Sequence, residues 1–168
     1  MITAKFFGAV FLVTGGYLGG RACRAEYRTR LKTIRTLITS LARIRAEITL
    51  RLTPLPELIT SECAFTDGRV QAFYREVSRL YDEDGSFQAS WDDAIDRLRT
   101  SAEERGILSS LGTVLGRYDA HAQEEALRYA EDSLARCAEA AENDLKLRGM
   151  LMSRLLPGIA LAAAILLW

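Results

Sequence analysis

The sequence predicts an all-α protein: a cytosolic antiparallel helical bundle between N- and C-terminal transmembrane helices. Three observations predict it. Both ends are apolar, with no charge from Phe6 to Gly20 or from Leu155 to Trp168. Between them, apolar residues recur at three- and four-residue spacing, the period of one helix face. No stretch alternates apolar and polar as a half-buried strand would.

The uncharged runs hold 15 and 14 residues. At about 1.5 Å per residue they reach about 21 to 22 Å, short of a hydrocarbon core about 30 Å thick. Extension to Met1 admits only Lys5, and extension back to Met150 admits only Arg154. Each of these side chains lies near an end, where it snorkels to the headgroups, so spans over 1–20 and 150–168 are expected. A cleaved signal peptide is the alternative for the first run. Against it, Leu18-Gly19-Gly20-Arg21-Ala22-Cys23 puts an arginine where cleavage wants a small residue, and the same arginine argues against a lipidated Cys23. For the second run the alternative is a buried core helix, while the terminal Trp168 favours a membrane interface. Gly15 with Gly19, and Gly16 with Gly20, form two overlapping small-x-x-x-small faces. Such faces let membrane helices approach closely, here either in a homo-oligomer or against the chain's own second span.

Formal neutrality hides a dipolar layout. Arg21 to Arg51 carries nine Lys or Arg against Glu26 and Glu47, a net of +7, whereas Glu57 to Arg148 carries 20 acidic and 11 basic residues, a net of −9. Lys146, Arg148 and Arg154 make the second flank basic as well. The positive-inside rule then places the domain, residues 21–149, in the cytosol and both termini outside it. Membrane lipids with anionic headgroups are the expected partner of the basic collar, in preference to nucleic acid. About 130 residues between the spans suffice for one compact domain.

The elements follow in order. Tyr27, Leu31, Ile34, Ile38, Leu41, Ile44, Ile48 and Leu52 make an apolar stripe on a helix continuing from the first span. Thr53-Pro54 ends it and opens the next, with Thr53 as N-cap, Pro54 in the first helical position and Glu57 in the first turn. That short helix reaches about Cys63. After the Asp67-Gly68 turn, Val70, Phe73, Tyr74, Val77, Leu80 and Tyr81 form a second stripe that ends at Asp82-Glu83-Asp84-Gly85. Ser90 with Asp93, and Ser101 with Glu104, match capping-box spacing and predict two further helix starts. The first carries Trp91, Ala94, Ile95 and Leu98, the second Ile107, Leu108, Leu111, Val114 and Leu115. A last helix runs from about Asp119 past Ala130, Leu134, Ala138, Ala141 and Leu145 into the terminal span. The basic first helix and the acidic last one are expected to pair, with Arg28 and Arg35 as the test positions.

Catalytic chemistry finds no foothold. Cys23, Cys63 and Cys137 are odd in number and widely spaced, so free thiols are expected, and with His121 as the sole histidine they make no zinc pattern. Asp92, Asp93 and Asp96 beside Trp91 read as acids stabilised by a helix dipole rather than as a metal cluster. Asp82-Glu83-Asp84-Gly85 begins like a calcium loop but lacks the later ligands. There is no phosphate-cradling Gly-Lys-Ser/Thr, so an energy-using role needs another subunit. No cofactor, metal or catalytic residue is expected.

Glu47-Ile48-Thr49-Leu50-Arg51-Leu52-Thr53-Pro54-Leu55, then Trp91 opening a helix, then Leu111-Gly112-x-x-Leu115-Gly116-x-x-Asp119-x-x-x-Gln123 together resemble the stage III sporulation protein AB family. The resemblance covers nearly the whole chain. It implies a mother-cell membrane protein of endospore-forming bacteria whose helical cytosolic domain is similar to the F-type platform proteins of type II secretion systems. It also implies a place in the channel complex linking mother cell and forespore, beside a cognate secretion-type ATPase and other membrane subunits. A non-catalytic assembly platform is the function expected; a lipid-associated regulatory or signalling adaptor is the alternative. Pro157 departs from the continuous Gly- and Leu-rich run usual in the second span. Gly112 and Gly116 lie four apart, where two readings stand: close packing of another backbone, or Gly116 as a helix C-cap with Asp119 capping the next helix and Gln123 one turn on, facing it.

Overall fold

The structure is a computed structural model. It describes the backbone of residues 2–167 apart from Leu52 and Tyr118, and side chains from Glu26 to Lys146 apart from Leu52, Asp84, Tyr118 and Leu145. The elements are α1 (Ile2–Arg51), α2 (Leu55–Phe65), α3 (Gly68–Asp84), α4 (Phe87–Ala94), a 3-10 turn (Ile95–Leu98), α5 (Ala102–Val114) and α6 (Ala120–Leu167). All are helical, so the all-α class stands. Contacts divide the chain into two compact units, Met1–Thr29 with Ala141–Trp168, and Arg30–Ala140. Among the described residues no helix is long and apolar enough to cross a membrane. The runs expected to do so, at 1–20 and 150–168, lie outside the described side chains, as do Gly15, Gly16, Gly19, Gly20, Cys23, Pro157 and Trp168.

Within Arg30–Ala140, α1 buries Ile34, Leu37, Leu41, Ile44 and Ile48, spaced 3, 4, 3 and 4. Leu37 belongs to this stripe although the sequence reading passes over it. Lys32 Nζ meets Asp67 Oδ2 at 2.8 Å, and the hydroxyls of Ser40 and Tyr74 lie 2.6 Å apart. The two contacts are separated in sequence by 35 and 34 residues, so α3 runs alongside α1 in the same direction. Arg43 on α1 grips Glu62 on α2, which returns antiparallel between them. From α3 the core passes to α4, through Val70, Phe73, Tyr74 and Val77 against Trp91 and Ala94, and then to Leu108 and Leu111 on α5. Leu127, Ala130, Leu134 and Ala138 bring α6 into the same cluster. Trp91 is the largest fully buried side chain among the described residues. Its ring stands edge-on to Phe73 at 4.8 Å and 81°, with Phe87 at 5.6 Å and Tyr74 at 6.4 Å. Each such pair contributes about 0.5–1.5 kcal/mol beyond the area it buries.

Three local expectations change. Pro54, not Thr53, occupies the N-cap of α2, because the helix starts at Leu55 with Pro56 in its first turn. The Pro54 carbonyl accepts from the amides of Glu57 and Leu58 at 3.1 and 3.2 Å. Pro54 and Pro56, on either side of Leu55, fit here because neither need donate to the first turn. Ser90 with Asp93 is not a helix start: α4 begins at Phe87, and the Ser90 hydroxyl donates back to the Ser86 carbonyl at 2.8 Å. Trp91 therefore sits in mid-helix, where its ring enters the core instead of opening the element. Asp92 and Asp93 accordingly lie toward the C-terminal end of α4, where the dipole disfavours acids. Asp92 is held instead by the Ser109 hydroxyl, which donates to it at 2.8 Å. The other capping box is present as expected, with Ser101 accepting from the Glu104 amide and Glu104 accepting from the Ser101 amide.

Candidate functional site

The residues of the sequence motif converge on one junction. Gly112, on α5, faces Trp91 so closely that a Cβ there would lie 2.5 Å from the indole Cδ1. One turn earlier, the Leu108 carbonyl accepts a hydrogen bond from Trp91 Nε1 at 2.8 Å. The missing side chain thus admits the ring, and the indole N–H fixes it to the α5 backbone. Leu111 and Leu115 are buried beside it. Gly116 follows the end of α5 at φ +77°, a left-handed conformation that glycine adopts without strain. A Cβ at Gly116 would lie 3.4 Å from Leu55 Cδ2, so the start of α2 closes over the α5–α6 turn. Asp119 caps α6, its Oδ1 accepting from the Ala122 amide at 2.9 Å, and its carbonyl accepts from the Gln123 amide at 3.1 Å. Thr53 is half-buried, with its hydroxyl 3.5 Å from Glu47. This junction locks helices; it presents no group poised for chemistry. Asp119→Ala should cost about 1 kcal/mol of unfolding free energy through the lost cap, read in a urea titration.

Long-range ion pairs lash the basic helix to the others, and these the sequence reading missed. Glu104 has a fully buried side chain and accepts from Arg30 Nε at 3.1 Å. Glu62, at 4% side-chain exposure, takes a two-pronged grip from Arg43 at 2.9 and 2.6 Å. Glu131 on α6 receives Arg45 at 2.8 and 3.3 Å. The expected pairing of the long helices includes this tie between Arg45 on α1 and Glu131 on α6. Capping-box spacing pointed to Glu104, but nothing local marks Glu62 or Glu131. Burial pushes the thiols of Cys63 and Cys137 up, and both are free. Among the described residues no three His, Cys, Asp or Glu side chains converge to hold a metal ion.

Two of the surface openings among the described residues lie apart from these ties. A polar cleft of about 890 Å³ opens where Arg69 and Glu76 of α3 face Asp93, Asp96, Arg97 and Arg99 around the end of α4. Its Glu76 accepts from Arg79 at 3.1 Å and from Arg97 at 2.9 Å, bonds that hold its carboxyl below the usual carboxylate range. A carboxylate lowered in this way stabilises the fold fully above the ordinary carboxylate pKa, and loses that contribution as pH falls through its lowered folded-state value. Glu76→Gln should therefore flatten the acid limb of the stability–pH profile while leaving its neutral-to-basic shape unchanged. Arg99 is the one non-glycine at positive φ among the described residues, at +52°. A left-handed backbone costs such a residue about 1–2 kcal/mol. The second feature is a groove of about 520 Å³ between α5 and α6, lined by Leu111, Val114 and Ala126 and flanked by the exposed Tyr129.

Comparison with known families settles the kinship. The family model described as stage III sporulation protein AB matches residues 5–168. The chain belongs to this family. A solved structure described as stage III sporulation protein AB is similar at a TM-score of 0.63 and 22% identity, over 70% of this chain and 97% of that one. At that identity the likeness speaks for the shared fold. A search of curated proteins finds no match. Membership in the stage III sporulation protein AB family makes this a sporulation-associated helical bundle, and the Trp91–Gly112 junction is how this member builds it.

Proposed function

We propose that this chain is a non-catalytic assembly platform of a secretion-like channel complex between mother cell and forespore during endospore formation. In this reading residues 1–20 and 150–168 span the mother-cell membrane around the forespore, the intervening domain faces the cytosol, and both termini lie outside it. Membrane lipids, a cognate secretion-type ATPase and other membrane subunits are its partners, with a bundle similar to the F domain of type II secretion platforms. The observation that carries the reading is the double use of the two longest helices. Within α1 and α6, of 50 and 48 residues, bundle core positions and an uncharged run share one element. A protein that joins its bundle directly to apolar ends is suited to hold partners at a surface. Non-catalytic use is supported by its buried carboxylates, Glu62 and Glu104, each of which is spent on an arginine of α1.

Tags on each terminus, tested for protease protection in intact cells that carry the chain in their outer cell membrane and hold no forespore, should both be cut from outside. Purification of the full chain in detergent should bring down an ATPase and further membrane subunits. Recovery of a single soluble partner with no membrane subunit would favour a lipid-associated adaptor instead.

A further inference from the structure

The groove between α5 and α6 differs from the chain around it. From Glu57 to Arg148 acids outnumber bases 20 to 11, a net of −9, which sets most faces of one copy against those of another. The groove carries no such excess, because its charged lining residues are Arg117 and Glu125, one of each sign. Its walls are apolar, with Ile107, Leu111 and Val114 from α5 and Ala122, Ala126 and Ala130 from α6. The three alanines, each four positions from the next, leave an opening of about 520 Å³, room for a large side chain.

The same face carries a side chain of that kind. Tyr129 is one of three large apolar side chains left mostly exposed among the described residues, at 64%. Helical spacing sets Tyr129 and Glu125 outward of Ala126 and Ala130, so the ring edges its own groove without filling it. Residues 115–119 join α5 to α6, a turn short enough to make the two helices antiparallel neighbours. A second copy brought onto the groove by a twofold axis running along it sets α6 of each chain against α5 of the other, again antiparallel. Such an axis keeps every residue at its own height. Tyr129 of each copy then enters the other groove at the level of Ile107 and Ser110, which line the end away from the turn. Glu125 comes about 8 Å along the axis from the turn that holds Arg117, within reach of that long side chain. An unrelated partner would have to supply both the ring and the matching charges. A second copy already has them.

We propose that the α5–α6 groove docks a second copy of this chain, with Tyr129 exchanged between the two grooves and Glu125 of each copy facing Arg117 of the other. The axis also runs the two α6 helices in the same direction, as two copies anchored in one membrane require; this last point rests on the assembly reading above. The contact is short, so the dimer is reversible between free copies and favoured where a shared membrane concentrates them.

The test is sedimentation velocity of the full chain in detergent over a concentration series. Tyr129→Ser should raise the dimer dissociation constant about tenfold, since the ring is lost from both grooves. Glu125→Arg and Arg117→Glu should each raise it about fivefold, and both reversals in one chain should restore it. Arg75→Gln, an exposed charge on α3 outside the groove, should leave it unchanged. All four positions are exposed, and circular dichroism checks that each variant keeps its helices. A wild-type chain that stays monomeric overturns the proposal. So does a dimer indifferent to Tyr129→Ser, which would assign self-association to another face, such as the glycine pairs of the first apolar run. A double reversal that fails to restore the dimer overturns it as well. Loss of co-purified membrane subunits on Tyr129→Ser, with the dimer intact, would give the groove to one of those subunits instead. Self-association of the purified chain and recovery of other subunits are separate readouts, so failure of one is distinguishable from failure of the other.

Discussion

Gly112→Ala is expected to destabilise the bundle by about 2–3 kcal/mol, within the range for overpacking a well-filled core. Alanine at an unencumbered helical position does the opposite, stabilising by up to about 1 kcal/mol over glycine, so the sign itself is diagnostic. The cause is the indole of Trp91, whose Cδ1, Cγ and Nε1 would stand 2.5, 3.1 and 3.1 Å from the new methyl. The ring has little room to yield: Phe73 stands edge-on to it, and its N–H is tied to Leu108. Gly106, in the same helix α5, has nothing within 4 Å of its would-be Cβ. Gly106→Ala should accordingly stabilise, and the two variants together separate packing from propensity. In a Trp91→Leu background the penalty at position 112 should largely vanish, giving a coupling of about 1.5 kcal/mol or more in a double-mutant cycle. Urea titration of the full chain in detergent reads all four. A penalty that persists in the Trp91→Leu background would show that something other than the ring fills the space.

Glu104→Ala is expected to cost about 3 kcal/mol. The substitution removes the acceptor for the Ser101 amide at 2.9 Å and the buried carboxylate that Arg30 grips. Breaking a buried ion pair costs about 3–5 kcal/mol, but Arg30 retains 29% exposure and recovers some hydration, which places the effect at the low end. Ser101→Ala removes only the hydroxyl side of the cap and should cost about 1 kcal/mol. Equal penalties for the two variants would mean that the tie to α1 adds nothing. A tie that matters should appear as a smaller penalty for Glu104→Ala once Arg30 is already alanine.

Local grammar was legible, and long-range pairing was not. The stripe of Ile34, Leu41, Ile44 and Ile48 follows from helical spacing, because one face of α1 must meet the core. Ser101 with Glu104, and Asp119 after Gly116, were readable because a cap is decided within four residues. Ser90 with Asp93 carries the same letters and misleads. A serine inside a helix can satisfy its hydroxyl on the carbonyl four residues back, and spacing alone does not distinguish that use from a cap. The Gly112 and Gly116 pair was open to two readings, and neither named Trp91 as the neighbour of Gly112, since a glycine's partner is set by tertiary approach. Nothing near Glu62 or Glu131 in sequence signals Arg43 or Arg45, so the ties that organise α1 surface only in three dimensions.

The clasp of Arg45 on Glu131, whose halves stand 86 positions apart in the chain, carries a consequence in time. A ribosome adding about 5–20 residues per second needs roughly 4–17 s to travel from one to the other. Throughout that interval α1 exists without the helix that answers its charge. On the proposed topology the charge of Arg45 is thus unanswered while the insertion machinery reads which side of the membrane it belongs on. Only the arrival of α6 neutralises Arg45. The same charge serves first as an address label during synthesis and afterwards as a fastening of the finished bundle.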